Sequence, residues 1–200
     1  SATYHTGVVD CGSNAGLIIE HCNLRSQSMS TAMQMFSMTS GTLHIKRSLV
    51  GEVRCRFMQK NGANVTVLVD DTMFDASLGA WNNAHPLFWN KASGGSLTGN
   101  RTTHDSKTSR DFQQSEYNWT VTADRLSWRP SRALGTDTAN GGFMSTNTTS
   151  CVEPLTSPIR LTESRIYTGA AHGYGALIGA QNGTNGQSIT DFQVEHCEFI

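Results

Sequence analysis

One short pattern returns along almost the whole chain and limits what it can fold into. It reads apolar residue, two free positions, small polar residue, one free position, apolar residue. The end copies, residues 19–24 and 194–199, share the letters Glu-His-Cys. Further copies begin at Ile45, Val69, Val121 and Leu161, with a degenerate copy near residues 97–100. Such self-similarity indicates stacked structural units, each covering the next.

The unit is built from short apolar runs separated by clusters of Gly, Asn, Ser and Thr, which is typical of strands joined by turns. A repeat of roughly 20 to 30 residues made of strands predicts an all-β parallel solenoid. The small residue, such as Cys22 or Ser48, would then occupy a tight bend between neighbouring coils. His21 and His196 would share an outward row with Arg47, Asp71, Ala123 and Glu163.

The charge balance and the cysteines exclude several classes of protein. Fifteen Lys and Arg against 16 Asp and Glu give a net charge of −1, which argues against nucleic acid as a partner. No apolar run is long enough to insert into a membrane. The five cysteines are odd in number and form no Cys-x-x-Cys pair. We therefore expect no metal, no cofactor and mostly buried thiols.

We expect one β-solenoid domain over residues 1–200. The chain lacks an initiator Met and ends inside an apolar run, so we expect a fragment of a longer protein. The spacing is irregular in the middle, where residues 75–118 and 129–142 exceed one coil and predict inserted loops. Loops on a rigid scaffold are frequent positions of binding and catalytic residues.

Carboxylates near these insertions are the candidates for chemistry. Glycoside hydrolysis needs two carboxyl groups roughly 5 to 9.5 Å apart, a separation that stacked coils supply. Asp70, Asp71 and Glu116 are the predicted acid and base residues. The alternative is that Asp70 and Asp71 cap a turn or are solvated. A lyase would instead use a base beside a cation, for which Arg101 and His104 are candidates.

Aromatic side chains concentrate in the same region, although only 8% of the chain is aromatic. Tryptophan and tyrosine rings stack on the apolar faces of sugars, so this concentration predicts a glycan-binding surface. The alternative is that two of the tryptophans flank a coil and cap the core. The predicted binding residues are Trp81, Trp89, Trp119, Trp128, Tyr117, Arg101 and His104.

The unequal coils, the Asn/Ser/Thr/Gly turns and the low charge resemble the right-handed parallel β-helix of pectate-lyase-like proteins. Within that class the chain is similar to the β-helical domains of bacteriophage tailspikes. The resemblance covers nearly the whole chain as architecture, with no diagnostic catalytic signature. It implies a homotrimer on the virion, or an extracellular protein, that recognises bacterial surface polysaccharide.

Three functions follow as expectations. The first is a tailspike-type domain that binds bacterial polysaccharide, with depolymerisation as an open question. The second is a non-catalytic structural or adhesion segment of a virion or surface fibre. The third is a secreted enzyme of the pectinase or lyase type that acts as a monomer. The sequence does not decide between hydrolase, lyase and pure binding.

Overall fold

The structure is a computed structural model, and it describes residues 9–11, 16–26, 34–53, 56–75, 87–106, 113–130, 144–147, 156–166, 178–181 and 191–200. These residues form strands and no helix. The strands are β1 Val9–Cys11, β2 Gly16–Glu20, β3 Asn23–Ser26, β4 Gln34–Lys46, β5 Leu49–Val53, β6 Arg56–Asp70, β7 Met73–Asp75, β8 Phe88–Asn90, β9 Ser96–Asn100, β10 Thr103–Ser106, β11 Gln113–Ser115, β12 Thr120–Asp124, β13 Ser127–Pro130, β14 Met144–Asn147, β15 Ile159–Thr162, β16 Arg165–Ile166, β17 Ile178–Gln181, β18 Phe192–Glu195 and β19 Glu198–Phe199.

The strands stack into two parallel sheets. The first sheet has 12 strands and the second has seven. All of the strand pairs are parallel, and each strand pairs with its equivalents on the preceding and following coils. Hydrogen bonding between successive coils is the architecture of a parallel β-helix. The prediction of an all-β parallel β-helix is confirmed. Within the described ranges no helix is long and apolar enough to cross a membrane.

Each coil, here called a rung, visits three stacks of strands. The first sheet contains two stacks side by side, joined because β4 and β6 run continuously through both. One stack includes β8 and β11, which we call stack one, and the other includes β9 and β12, which we call stack two. The second sheet forms stack three. One corner joins stack one to stack two, and a second corner joins stack two to stack three.

The core consists of columns in which one inward position repeats from rung to rung. One column in stack two contains Leu43, Val67, Leu97, Val121 and Ile159, all nearly without solvent exposure. Alternation of buried and partly exposed residues, as in β9 and β12, places every second side chain inside. Burial of each such aliphatic side chain contributes about 1.5–3 kcal/mol.

The corner between stacks two and three repeats one unusual backbone conformation. In every rung a non-glycine residue has a positive φ, between 45° and 54°. We call these seven residues the corner row. All of them are solvent-exposed. They are His21, Arg47, Asp71, Arg101, Arg125, Glu163 and His196.

The residue after the corner row points inward and explains the Glu-His-Cys copies. The Ser164 hydroxyl donates to the Thr162 carbonyl oxygen at 2.7 Å. Cys22 and Cys197 do the same with their thiols, each to the carbonyl two residues earlier, at 3.3 Å. The side chain therefore bridges the corner residue, and both Cys copies are equivalent rungs of the scaffold, as predicted. Cys22 is exposed and Cys197 is partly exposed, so the expectation of buried thiols is wrong for these two.

The register corrects two of the predicted repeat copies. Ala123, and not Val121, is the equivalent of Val69 and Leu161, and Gly99 is the residue on the intervening rung. The copies assigned at Val121 and at residues 97–100 were therefore shifted by two residues. The shift arises because small Gly99 and Ala123 occupy core positions that are large and apolar elsewhere. Ala123 is accordingly buried and does not belong to the outward row.

The predicted insertion at 75–118 is also corrected. Residues 87–106 form a regular rung with β8, β9 and β10, and residues 113–118 begin the next one. The polar composition of this stretch concealed strands whose inward positions include Asn90 and Ser115. Residues 129 and 130 of the second predicted insertion belong to β13, and residues 131–142 lie outside the described residues.

Candidate functional site

Three of the predicted residues meet at the corner row. Arg101 donates to both carboxylate oxygens of Asp71, from Nε at 2.5 Å and from Nη2 at 2.8 Å. Asp70 precedes this pair on the outer face, and its Oδ2 lies 2.7 Å from Nε2 of His44. The corner is thus a set of paired charges on the surface, in which Asp71 has the backbone conformation of a turn residue.

The charge state of this corner follows from its contacts. The hydrogen bond from Arg101 lowers the pKa of Asp71. Two rungs along the column of Asp70, the hydrogen bond from Thr162 lowers the pKa of Asp124. Groups with lowered pKa values favour the ionised form, so Asp71 and Asp124 are poor candidates for a general acid at neutral pH.

Glu116 is separated from the other predicted catalytic residues. It lies at the opposite corner, between β11 and β12, whereas Asp70 and Asp71 follow stack two. Its side chain is only 4% exposed. Tyr117 follows it and is partly exposed, and its carbonyl oxygen accepts a hydrogen bond of 2.6 Å from Asn90. The structure therefore does not bring the three predicted catalytic carboxylates together.

Three predicted binding residues lie inside the coil. Trp119 is buried and donates from Nε1 to the Ser115 hydroxyl at 2.9 Å. Trp128 and His104 are buried in one inward column of stack three, with parallel rings 6.5 Å apart. Direct contact between these rings and a polysaccharide at the surface is not compatible with their positions. They pack the core, which is the alternative interpretation of Trp119 and Trp128.

His104 is unusual among the buried residues. Among the described residues neither ring nitrogen has a hydrogen-bond partner, and the same is true of Trp128 Nε1 and Thr102 Oγ1. Burial lowers the pKa of His104 to about 3. The imidazole is therefore neutral at physiological pH and acts as part of the aromatic column that also contains Phe74.

Trp89 is the described tryptophan on the outer face of the coil. It lies in β8 between the inward residues Phe88 and Asn90, and the residue is partly exposed although its indole nitrogen is buried. Lys91 is exposed, with Nζ 4.5 Å from the centre of the indole ring. On the preceding rung, Gln59 donates to Asn61 at 2.7 Å, and Gln59 is paired in register with Trp89. We call Gln59, Asn61, Trp89 and Lys91 the Trp89 surface.

Buried polar side chains fix the corner beside the Trp89 surface. The ammonium group of Lys60 donates to the Ala92 carbonyl oxygen on the next rung at 2.5 Å. Asn90 accepts a hydrogen bond from Ala92 N–H through Oδ1 and donates one from Nδ2 to the Tyr117 carbonyl oxygen. Burial lowers the pKa of Lys60 to about 8. Gly95, at φ 76°, completes the turn where a Cβ would lie 2.2 Å from the Val65 carbonyl oxygen.

Sequence reasoning missed the polar partners of both surfaces. His44, Gln59, Asn61 and Lys91 were not predicted, and neither were the supporting Lys60 and Asn90. The available signal was the parallel between "RFMQKNGAN" and "PLFWNKASGG", which align Gln59 with Trp89 and Lys60 with Asn90. Trp81 lies outside the described residues. Among the described residues no group of three His, Cys, Asp or Glu side chains could hold a metal ion.

The comparisons identify no relative. No protein-family model, no curated protein and no solved structure matched the chain.

Proposed function

We propose that this β-helical domain binds a polysaccharide through the Trp89 surface. The observation that carries the proposal is the position of Trp89 on the outer face of stack one, where the residue is partly exposed although its indole nitrogen is buried, beside amide side chains and an ammonium group. Binding sites of this composition combine an apolar ring with a few fixed polar groups. A sugar ring can place its C–H face on the indole and its hydroxyl groups on Gln59 and Asn61.

The rigidity of the surface supports the proposal. The strand that carries Trp89 is held by hydrogen bonds on both sides, to β6 and to β11. The corner that carries Lys91 is fixed by Lys60 and Asn90 from inside. A preorganised surface loses little conformational entropy when a ligand binds, which favours recognition of a flexible polymer.

The test is binding of the 200-residue chain to a panel of bacterial capsules and O-antigens, followed by calorimetry on the best ligand. We expect Trp89→Ala to weaken that binding at least tenfold, or about 1.4 kcal/mol. Thr98→Ala is the matched control, because Thr98 lies on the outer face of the same rung in stack two, and it should change the affinity less than twofold. Failure of the unmodified chain to bind any member of the panel, or unchanged affinity of Trp89→Ala, would contradict the proposal.

Depolymerisation is a second candidate, and the contact between His44 and Asp70 is what favours it. A carboxylate that orients an imidazole is a common arrangement for proton transfer. Release of reducing ends without absorbance at 235 nm would indicate a hydrolase, and release with it a lyase. Asp70→Asn and Glu116→Gln test the predicted catalytic residues, and cleavage unaffected by either change would exclude both.

The narrower expectations stay predictions. The resemblance to tailspikes implies a homotrimer, a bacterial source of the polysaccharide and a virion or extracellular location. Molar mass in solution tests the first of these, and the panel of glycans tests the second.

A further inference from the structure

The corner of β6 beside Trp89 contains an irregular stretch, residues 61–63, with the sequence Asn-Gly-Ala. These residues lie opposite a single residue of β4, Thr39, because the register shifts between the pairs on either side. Among the described strand pairs, those with the following rung end at Lys60 and resume at Thr66. The stretch is therefore a bulge, whose residues lie outside the regular strand ladder.

The fold itself requires both residues of the Asn-Gly pair. A Cβ on Gly62 would clash with the Thr39 carbonyl oxygen, so glycine is needed at this position. Asn61 is exposed and connects two rungs through its side chain. Its Nδ2 donates to Ser37 Oγ on the preceding rung at 3.1 Å, and its Oδ1 accepts from Gln59 Nε2 at 2.7 Å.

An asparagine followed by a glycine can react with its own backbone. The glycine nitrogen attacks the side-chain carbonyl carbon of the asparagine, and closure of a succinimide ring expels ammonia. The two groups need only a rotation within the asparagine to meet, because the reaction is intramolecular. Glycine favours the attack, since it has no side chain to obstruct the approach. At this corner the nucleophile is Gly62 N and the electrophile is Asn61 Cγ.

The two hydrogen-bond partners of Asn61 are placed to assist this reaction. Attack on Cγ moves electrons onto Oδ1, and Gln59 Nε2 already donates to that oxygen. A donor fixed where negative charge develops stabilises the transition state. The Ser37 hydroxyl lies at hydrogen-bond distance from Nδ2, which is the leaving group, and can supply its proton.

Asn64 provides a contrast within the same segment. It is exposed, like Asn61, but it pairs with Ser40 in the strand ladder. The residue after it is Val65, which is buried and branched at Cβ, and such a side chain obstructs attack by its own backbone nitrogen. Asn64 is therefore an internal reference for the reactivity of Asn61.

We propose that the Trp89 surface modifies itself, because Asn61 and Gly62 form a succinimide in the folded chain that hydrolyses to aspartate or isoaspartate. In the first step the Gly62 nitrogen loses its proton to solvent and bonds to Cγ. The bond from Cγ to Nδ2 breaks, and ammonia leaves with a proton from the Ser37 hydroxyl, which water replaces. In the second step water adds to one ring carbonyl carbon, and the bond from that carbon to the ring nitrogen breaks.

Both products change the charge of the Trp89 surface. Lys91 is the charged residue among its four members, so a carboxylate at position 61 cancels that charge. Lys91 lies on the neighbouring rung, where its N–H donates to the Lys60 carbonyl oxygen at 2.9 Å. The carboxylate also lacks the N–H donors of the amide, which a sugar oxygen would use. This effect on glycan binding rests on the proposed function, whereas the reaction itself does not.

Peptide mapping by mass spectrometry of the folded 200-residue chain, incubated in mildly alkaline buffer, tests the proposal. Trypsin releases residues 61–91, which contain both Asn61 and Asn64, and fragmentation locates the exchange of an amide for a carboxyl group. We expect product at Asn61 and none at Asn64. The rate should be no less than about a tenth of that in the free peptide of residues 56–66. The Asn-Gly pairs at 140, 182 and 185 lie outside the described residues and fall in other peptides.

Gln59→Glu tests the assistance from the neighbouring amide. The substitution replaces the donor with a carboxylate of the same shape, so the rate at Asn61 should fall at least about threefold. If Gln59 only restrained the side chain of Asn61, the same substitution would accelerate the reaction. Asn61→Gln is the matched control, because glutamine would have to close a larger ring, and its peptide should keep its mass. Circular dichroism checks that both variants are folded.

A glycan titration distinguishes this proposal from the proposed function. Asn61→Asp should bind the best ligand about fivefold more weakly than the unmodified chain, as expected for the loss of one hydrogen bond. Absence of all glycan binding would contradict the proposed function alone, since peptide mapping still decides the reaction. Asn61 that stays intact while the free peptide reacts, equal conversion at Asn64, or a faster reaction in Gln59→Glu would each overturn the self-modification.

Discussion

At the corner between stacks two and three, the backbone of one residue in each rung has a positive φ, a conformation that L-residues disfavour. A residue in the left-handed region costs roughly 1–2 kcal/mol, and all seven corner residues are non-glycine. The backbone ladder offsets this cost, because the N–H of Asp71 donates to the next rung at Asn100 O and that of Glu163 at Glu195 O, both at 3.0 Å. On five of the rungs an inward hydroxyl or thiol adds one more bond across the bend; these residues are Cys22, Ser48, Thr72, Ser164 and Cys197.

Ser164→Ala should therefore destabilise the protein substantially, although it removes a single oxygen atom. The hydroxyl donates to Thr162 O and accepts from the backbone N–H of Leu126 at 3.0 Å, and the substitution would remove both bonds, of which the one with Leu126 is buried. We expect a loss of about 1–3 kcal/mol in the free energy of unfolding, measured by urea denaturation. Thr122→Ala, on the outer face of stack two, should cost less than about 0.5 kcal/mol. Equal effects of the two changes would contradict the role of the hydroxyl.

Glu163→Gly should have the opposite effect. Glu163 is exposed at φ 45°, where glycine has no Cβ penalty. We expect stabilisation of about 0.5–1 kcal/mol by the same denaturation experiment, despite the entropy that glycine adds to the unfolded chain. Thr122→Gly, at an extended strand position, should instead destabilise. Destabilisation by both substitutions would show that the corner conformation carries no cost.

At the scale of single residues, the sequence predicts where the bend lies, but not the hydrogen bond or the backbone conformation that forms it. The pattern predicts a small residue at the bend, which is confirmed at Ser48, Thr72 and Ser164. It is wrong on the Arg125 rung, where the residue at the bend is Leu126. The hydrogen bond to the carbonyl two residues earlier was not predicted, and neither was the positive φ. Charged residues such as Arg125 and Glu163 rarely adopt a positive φ, so their residue type does not predict it.

At the scale of the strands, the inward column of stack three contains a polar side chain, His104, buried among aromatic rings. Phe74, His104 and Trp128 follow one another in this column, and the imidazole packs between two aromatic rings. In the part of the chain that the structure describes, four polar atoms in and beside this column have no hydrogen-bond partner. The column therefore tolerates His104 only in its neutral form.

Stability should consequently fall in mild acid. The pKa of His104 is about 3 in the folded chain and about 6.5 in the unfolded one, so below pH 6.5 the unfolded state binds the extra proton. The contribution of the neutral form is complete above pH 6.5 and is lost as the pH falls towards 3. The loss is at most about 1.4 kcal/mol for each pH unit.

Urea denaturation of His104→Leu between pH 7 and pH 4.5 measures this contribution. The variant should lose less stability on acidification than the unmodified chain. Thr122→Ala, on the outer face of stack two, is the control and should leave the pH dependence unchanged. Identical pH profiles for His104→Leu and the unmodified chain would exclude His104 as the cause.

Strand periodicity predicts these columns only where the inward residues are large and apolar. The copies at Ile45, Val69 and Leu161 were predicted in their correct register. The copies containing Gly99 and Ala123 were predicted two residues out of register. In a strand, a shift of two residues keeps the same side chains on the inward face, so the apolar pattern does not reveal the error. Buried His104 and Trp128 were predicted at the surface because their side chains are seldom wholly enclosed.

At the scale of the whole molecule, the coil separates two polar surfaces. The Trp89 surface lies at the corner between stacks one and two, whereas Asp70, Asp71 and Arg101 lie at the corner between stacks two and three. The sequence predicts members of both surfaces but cannot assign them to different corners. That assignment depends on the register of β6, β8 and β9, which is a property of the stacked coil and of no single segment.

The most direct measurement of the central proposal is nuclear magnetic resonance of the indole N–H groups during titration with a bound oligosaccharide. The four tryptophan signals are assigned from single Trp→Phe variants. The indole signal of Trp89 should shift in proportion to occupancy, because a ligand on the Trp89 surface changes the surroundings of its partly exposed side chain. The signals of Trp119 and Trp128, which are 2% and 1% exposed, should change much less. Saturable binding that leaves the Trp89 signal unmoved would contradict recognition through the Trp89 surface.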